Sequence, residues 1–275
     1  MTNLQFFTTM KKFVISLSTA SERREHICSE FGKKSISFDF FDALTPEPAA
    51  LFAKELNLNV DGQSLTKGEV ACFMSHVYLW NKMISENIPH MAIFEDDIYL
   101  GENVKAFLAD NAWIDSNWHL IKIEEFTSKV ALGQKIKTFH SEPDRALFEL
   151  KSKNLGTAGY ILSLHGAKQL ISYIQSLDKL IALDHLMFEK LIQDKILSVS
   201  QMKPALCIQD VTLFSTKDSV RFASHLYKER LTRRHYDKKT GLDKILLELS
   251  RIFQQIRNLI FFKTVGYWPP LSSGL

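Results

Sequence analysis

Short apolar segments alternate with longer segments of helical periodicity along most of the chain. The predicted strands occupy residues 12–17, 35–41, 91–94, 118–123, 146–150 and 205–208, and residues 156–162 are predicted to form a close-packed turn that leads into a further strand. The predicted helices occupy residues 21–31, 49–56, 70–84, 104–108, 163–177 and 186–192. This alternation predicts an α/β sandwich with a largely parallel central sheet, with the strand at 146–150 at an edge. Ligands of such sheets bind at the carboxyl ends of the strands.

The helix predicted over residues 70–84 begins at a capping box, since Thr66 lies three residues before Glu69. Apolar residues surround nearly its whole circumference, which predicts that most of it is buried. Ser75 and His76 lie within this helix. A histidine in that position is either a core residue with a satisfied hydrogen bond or part of a site.

Three consecutive carboxylates, Glu95, Asp96 and Asp97, directly follow the strand at 91–94. Adjacent carboxylates repel one another and are costly to desolvate, so they favour an exposed strand end or the surroundings of a cation. In an extended backbone Glu95 and Asp97 would point to one side and Asp96 to the other. That pair of oxygen ligands suits Mg²⁺ or Mn²⁺, whereas the alternative is a charged turn without a ligand.

The composition is that of a folded protein, since 45% of its 275 residues are hydrophobic and 24% are charged. Its three cysteines have no CxxC spacing, which predicts a reducing compartment and no zinc site. We also expect neither a membrane span nor a secretory signal, because the apolar runs are short. A GxGxxG motif and a P-loop are absent from the sequence, so a Rossmann dehydrogenase or a kinase has no direct support.

The net charge of +3 conceals a basic carboxyl-terminal segment. Residues 221–275 contain 11 Lys or Arg and 4 Asp or Glu, whereas the preceding residues have a small acidic excess. Within this segment, residues 243–263 show an apolar helical stripe with basic and aromatic neighbours. That helix would either dock on the body or lie on a membrane surface. We therefore predict a main domain at 1–219 and a basic amphipathic helical tail at 220–275.

An ordered set of motifs resembles glycosyltransferase family 25, the lipooligosaccharide-biosynthesis galactosyltransferases of Gram-negative bacteria and their collagen-modifying relatives. The matching motifs are FVISL at 13–17 with Ser21 and Arg23-Arg24, FFDAL at 40–44, LTKGEVACFMSHVYLW at 65–80, MAIFEDDIYL at 91–100, GTAGYILSLHGAKQLI at 156–171 and ALDHLMF at 182–188. The pairing of SHxxxW with EDD is the most specific feature. The resemblance implies a GT-A type catalytic domain at 1–219, a nucleotide-sugar donor, Mn²⁺ or Mg²⁺, and inversion at the anomeric carbon.

The resemblance also implies roles for individual residues. Glu95 and Asp97 stand at the acidic metal motif, where Asp97 is the firmer ligand because this chain has Glu in the first position. The candidate donor-site residues are Arg23, Asp42, Lys67, Ser75, His76 and Asp96. Asp184 is the candidate base that accepts the proton of the acceptor hydroxyl, unless it caps the helix at 186–192. Glu124 and Glu125 are the second candidates for that role.

These roles predict an inverting, metal-dependent glycosyltransferase that moves galactose from UDP-galactose onto a lipooligosaccharide core sugar. We expect a cytoplasmic protein, held peripherally at the inner face of the inner membrane by its basic tail, and no nucleic-acid partner. One alternative is a non-catalytic membrane- or nucleic-acid-binding protein whose basic tail is the functional part. Another is a metal-dependent phosphotransferase or phosphohydrolase that uses the same acids.

Overall fold

The computed structural model describes residues 9–60, 65–141, 144–214, 220–222 and 262–266. In these residues, strands β1 to β12 are Lys11–Ser16, Asp39–Asp42, His90–Glu95, Ile98–Leu100, Leu120–Lys122, Glu124–Glu125, Lys129–Phe139, Arg145–Leu150, Gly159–Ser163, Val199–Lys203, Cys207–Gln209 and Phe262–Thr264. Helices α1 to α8 are Ser21–Lys33, Pro46–Glu55, Lys67–Ser85, Lys105–Leu108, Leu164–Gln175, Leu183–His185, Leu191–Gln193 and Asp210–Leu213. A π-helical turn at Leu186–Lys190 joins α6 to α7. The predicted α/β class is confirmed, but the alternation is interrupted where strands β5 to β9 follow one another without a described helix between them.

Within the described residues, nine strands form one sheet in the order β12-β7-β8-β10-β5-β9-β3-β1-β2. The prediction of a largely parallel sheet is wrong, because the sheet is mixed. Strand β1 is parallel to β2 and β3, and β10 is parallel to β5, but β9 runs antiparallel to both β3 and β5. Strand β8 lies inside the sheet between β7 and β10 and not at its edge. Hydrophobic alternation identifies a strand but carries no information about its direction.

The sheet is covered by helices on both faces, because its central strands are apolar on both sides. Met91 and Ile93 of β3 pack in a cluster with α2, α3 and α5. Ala92 and Phe94, which point the other way, pack with α1 and α4. The result is a three-layer α/β sandwich in which β3 is buried on both faces.

The capping box predicted for α3 is confirmed. Thr66 accepts from the Glu69 amide at 3.1 Å, and the Glu69 carboxylate accepts from the Thr66 amide at 2.8 Å. Ser163 caps α5 in a similar way through the Gly166 amide. Ala20 occupies the N-cap of α1 without a side-chain cap, and Ser21 is the first helical residue.

A second, smaller sheet pairs β11 with β4 and β6 and adjoins the carboxyl end of β3. The described parts of the basic tail contact the body. Strand β12 pairs with β7, and the buried residue Val265 follows it. Of the predicted tail helix at 243–263, only residues 262 and 263 are described, and they belong to β12. The rest of that helix and residues 215–219 lie outside the described residues. Among the described helices, none combines the length and the apolar character needed to cross a membrane.

Candidate functional site

The three carboxylates of the EDD motif lie where β3 ends beside β1. Glu95 is the last residue of β3 and pairs with Ile15 of the parallel strand β1. Asp96 and Asp97 form the turn into β4. Strand β1 ends at Ser16, whose hydroxyl donates to Asp96 Oδ2 at 2.6 Å. The carboxyl ends of β1 and β3 therefore place the acids at the edge of the sheet where ligands were expected.

Arg23, in the first turn of α1, neutralises part of this charge. Its Nη1 lies 2.6 Å from Asp96 Oδ1 and 3.7 Å from Asp97 Oδ2. Its Nη2 donates to the carbonyl oxygen of Phe222 at 3.3 Å. Arg23 thus joins the acidic turn to the start of the basic tail, and Asp96 is committed to bracing the turn.

Glu95 and Asp97 share one amide neighbour, Gln209 at the end of β11. Gln209 Nε2 lies 3.3 Å from Asp97 Oδ1 and 3.5 Å from Glu95 Oε2. The other Glu95 oxygen, Oε1, accepts from the Thr157 hydroxyl at 2.6 Å. The two carboxylates therefore face a common point while Asp96 turns toward Ser16 and Arg23. The turn after β3 produces this arrangement, and not the alternation of an extended strand.

The electrostatics of this pair suit a cation. Burial and the negative charge of Glu95 raise the pKa of Asp97 to about 7. Burial would also raise the pKa of Glu95, but His76 and the Thr157 hydroxyl hold it below its ordinary value. A half-buried and a buried carboxylate with opposed pKa shifts fit a hard divalent ion such as Mg²⁺ or Mn²⁺, whose charge would relieve their repulsion. Glu95 and Asp97 are the residues that could hold it.

Ser75 and His76 are both fully buried in α3, but they have different contacts. Ser75 accepts from the Leu44 amide and donates to the Ala71 carbonyl, so it joins α3 to the loop after β2. His76 Nδ1 lies 2.8 Å from the Tyr160 hydroxyl. Its Nε2 has no hydrogen-bond partner among the described residues and points toward Glu95 Oε1 at 3.7 Å. Of the two, only His76 reaches the acid cluster.

Glu124 and Glu125 lie on adjacent positions of β6. Glu124 is fully buried, and its Oε2 accepts from Lys122 Nζ at 2.8 Å and from the Ala158 amide at 3.1 Å. Burial raises the pKa of Glu124, and Lys122 only partly offsets it. Burial also raises the pKa of Glu125. The register of β6 with β11 places Glu124 on the face of Gln209, and Glu125 on the opposite face.

Asp42 and Lys67 lie apart from the acid cluster. Asp42 is exposed at the end of β2 and pairs with Arg24. Lys67 is exposed at the start of α3. Among the described residues, no hydrogen bond or ion pair joins either side chain to Glu95, Asp96 or Asp97. Both remain candidates only for contacts with a ligand that extends beyond the cluster.

Asp184 lies in α6, and the N-cap residue of the helical turn at Leu186–Lys190 is His185, so the alternative that Asp184 caps the following helix is wrong. Its Oδ1 accepts from the His185 amide at 2.9 Å. The adjoining π-helical turn contacts the loop before β9, since the Phe188 carbonyl accepts from the Asn154 amide. Thr157 of that loop contacts Glu95. Asp184 is therefore joined to the acid cluster through one loop, and its side chain is only half-buried.

Several side chains that contact or adjoin the acid cluster were not predicted from the sequence. Ser16, Thr157, Tyr160 and Gln209 are polar residues at strand ends or beside them. Ser16 and Gln209 follow apolar runs and Thr157 and Tyr160 lie at the start of one, which was the available signal. The pairing of β1 with β3 and of β11 with β6, which decides that they converge, is not visible in the pattern.

The amino-acid sequence of this chain is similar to those of known proteins. The sequence profile of glycosyltransferase family 25, described as an LPS biosynthesis protein, matches residues 9–187. The chain belongs to glycosyltransferase family 25.

Lipooligosaccharide biosynthesis protein lic2B of Haemophilus influenzae is 38% identical over 261 residues, which cover 91% of this chain and 94% of that protein. The lacto-N-neotetraose biosynthesis glycosyltransferase LgtE of Neisseria gonorrhoeae is 34% identical, and the match covers 94% of this chain and 98% of LgtE. The resemblance predicted from the motifs is confirmed, and all the candidate site carboxylates described above fall within the matched residues.

Proposed function

We propose that this family 25 member is an inverting galactosyltransferase. It would transfer galactose from UDP-galactose to a core sugar of lipooligosaccharide with the help of Mn²⁺ or Mg²⁺. The observation that supports this most is the pair formed by half-buried Glu95 and buried Asp97 beside Arg23, at the carboxyl ends of β1 and β3. Relatives named for lipooligosaccharide and lacto-N-neotetraose biosynthesis support the acceptor class.

Glu95 and Asp97 would hold the divalent ion, and Gln209 would orient both carboxylates. When bound, such an ion offsets the negative charge that develops on a leaving diphosphate. Asp96 has a different task, because its contacts with Ser16 and Arg23 hold the turn that presents its two neighbours. Arg23 would supply a second positive charge close to the diphosphate. The site thus combines ligands for a cation with a fixed guanidinium.

Inversion requires a base that takes the proton of the acceptor hydroxyl while its oxygen attacks the anomeric carbon. Asp184 is our candidate, because its carboxylate is only half-buried and an acceptor sugar could reach it. Glu124 is fully buried and engaged by Lys122, which suits a positioning role. Glu125 lies on the face of β6 opposite Gln209. Accessibility therefore favours Asp184 over both glutamates.

A cytoplasmic location at the inner face of the inner membrane follows from this acceptor. The surplus of Lys and Arg in residues 221–275 would attract an anionic surface, which suits an enzyme whose acceptor is linked to a lipid.

The proposal is tested by incubating the purified protein with UDP-galactose, Mn²⁺ and a lactose- or glucose-terminated acceptor, and by measuring the galactosylated product and UDP. We expect product to form with Mn²⁺ and to be lost in EDTA. Asp97→Asn should lower turnover at least ~100-fold, since a ligand to the ion is lost. Asp178→Asn, which changes an exposed acid after α5, is the matched control and should leave turnover unchanged.

Other outcomes separate the alternatives. Undiminished transfer in EDTA would contradict the role of the metal. Release of inorganic phosphate without an acceptor would favour a phosphohydrolase. If no nucleotide sugar raises the melting temperature with or without Mn²⁺, the protein binds no such donor and the enzyme proposal fails.

A further inference from the structure

A second group of metal-ligating side chains lies beside the acid cluster. Cys72 Sγ, His76 Nε2 and a carboxylate oxygen of Glu95 lie within 4.8 Å of one another. Cys72 and His76 are four residues apart on α3, so they share one face of the helix. Glu95 comes from the end of β3, which α3 precedes in the chain. We propose that these three residues form a site for a thiophilic divalent ion of the Zn²⁺ class.

One ligand-to-ligand distance is close to the value that zinc requires, and the two that involve Cys72 Sγ are at most 4.8 Å. Zinc lies about 2.3 Å from a thiolate sulfur and about 2.0–2.2 Å from a nitrogen or carboxylate oxygen. Two such ligands at a tetrahedral ion are therefore about 3.3–3.6 Å apart. His76 Nε2 and Glu95 Oε1 are already separated by 3.7 Å. Small side-chain rotations of Cys72 and Glu95 would complete the geometry and leave a fourth position for water.

The unpartnered atom of His76 is the observation that points to a ligand. His76 is fully buried, and Nε2 has no hydrogen-bond partner among the described residues. A proton on Nε2 would aim at Glu95 across 3.7 Å, which is too long for a hydrogen bond. A buried polar atom without a partner is costly. An ion in the space between Cys72 and Glu95 would satisfy it.

The surroundings of His76 also fit a metal ligand. Its Nδ1 lies 2.8 Å from the Tyr160 hydroxyl, which accepts from Trp80 Nε1 at 2.9 Å. Metal-binding histidines generally donate their second ring N–H to a neighbouring acceptor, which fixes the ring and the tautomer. With Nδ1–H directed at the Tyr160 oxygen, the Nε2 lone pair is free for an ion. The CxxC criterion missed this site because the ligands come from one helical turn and a distant strand.

The two oxygens of Glu95 serve the two sites. Oε1 faces His76, whereas Oε2 faces Gln209 and the Asp97 side. A thiophilic ion would therefore draw charge from Glu95 and weaken the binding of Mn²⁺ or Mg²⁺. This consequence rests on the proposed function, whereas the site itself does not.

The direct test is a titration of the full chain, kept reduced without a chelating thiol, with Co²⁺ as a spectroscopic substitute for Zn²⁺. We expect one equivalent to produce a thiolate-to-cobalt charge-transfer band that Zn²⁺ abolishes. Cys72→Ser should remove the band, whereas Cys28→Ser, which changes an exposed cysteine on α1, should keep it. His76→Gln should weaken the affinity at least ~10-fold. Absence of the band, or its survival in Cys72→Ser, would overturn the site.

A second measurement needs no variant. Alkylation of Cys72 in the unmodified chain, followed by mass spectrometry, should slow at least ~10-fold when Zn²⁺ is present, while alkylation of Cys28 should not change. Equal rates at Cys72 with and without Zn²⁺ would contradict the proposal even if Cys72→Ser failed to fold.

Transfer assays then separate the site from the proposed function. Zn²⁺ should inhibit transfer in the unmodified chain and in Cys28→Ser, and Cys72→Ser should resist it. If zinc binds and transfer continues unchanged, the coupling through Glu95 is wrong. If zinc binds but no galactose is transferred under any condition, the proposed function fails and the site stands.

Discussion

An ionised Asp97 would favour metal binding, but it lowers the stability of the metal-free protein. Its pKa is raised from 3.8 to about 7 by burial and by Glu95, so the folded state without metal retains a proton that the unfolded state has lost. The contribution of Asp97 to the free energy of unfolding is fully present below about pH 4 and is lost as the pH rises toward 7. Asp97→Asn should therefore stabilise the metal-free protein by about 1–3 kcal/mol at pH 8, although it removes activity. Urea denaturation in EDTA from pH 4 to pH 8 measures this.

Asp96 provides the matched comparison, because its carboxylate is satisfied by Ser16 and Arg23. Asp96→Asn weakens two hydrogen bonds, one of them to a charged group, and should cost about 1–3 kcal/mol. Opposite signs for the two neighbours are expected at pH 8. If Asp97→Asn proves as destabilising as Asp96→Asn, the assignment of Asp97 as a strained ligand is wrong.

Gly156 fixes the loop that joins Glu95 to Glu124. Its φ of +86° is strained for other residues, and an added Cβ would lie 2.6 Å from Glu124 Oε1. Gly156→Ala should destabilise the protein by about 1–3 kcal/mol and lower transfer, because Thr157 moves with it. Gly32→Ala, in α1 with nothing within 4 Å of the added Cβ, should instead stabilise by about 0.5–1 kcal/mol. Thermal melts and transfer rates of both variants provide the comparison, and equal effects would refute the role of Gly156.

At the residue scale, the sequence reveals the acids better than their partners. Glu95 and Asp97 stand out because charged residues seldom follow an apolar strand in a row. Gln209 and Thr157 have ordinary local contexts, and only the pairing of distant strands brings them to Glu95. Such convergence is a tertiary property, so local patterns cannot predict it.

Among the elements, α3 tests how far local signals determine structure. Its capping box satisfies two backbone groups at the start of the helix that carries His76. Thr66→Ala should cost about 1 kcal/mol, because the Glu69 amide loses its acceptor. Thr45→Ala is the control, since Thr45 is the N-cap of α2 but makes no side-chain cap hydrogen bond. A chemical denaturation experiment should show a loss for Thr66→Ala alone, and similar losses would contradict the capping argument.

Elements with strong local signals were predicted well, and those defined by their partners were not. Helix α3 and strand β3 follow from a capping box, a buried apolar surface and a short apolar run. The two-residue strand β6 exists only because β11 lies beside it. The antiparallel direction of β9 is set by its connections through the whole sheet. This is why a mixed sheet was mistaken for a largely parallel one.

At the scale of the whole molecule, the two ends of the central strands have different roles. Glu95 ends β3 at the candidate site, whereas His90 begins the same strand at the other end. There the rings of His119 and His165 lie at an interplanar angle of 38° with their centroids 4.3 Å apart, and His90 contacts Asn111. Changes at His90 should therefore alter stability without touching the acid cluster.

Burial and the nearby His119 lower the pKa of His90 from 6.5 to about 4. Between these values the unfolded state binds a proton that the folded state does not, so stability falls as the pH drops from 6.5 to 4. The loss should be about 1–3 kcal/mol, reduced by the partial exposure of His90. His90→Gln keeps a polar contact for Asn111 and should flatten the dependence of unfolding free energy on pH in this window. His140→Gln, at an exposed position, should follow the unmodified protein. Parallel curves for His90→Gln and the unmodified protein would show that the acid sensitivity of the fold arises elsewhere.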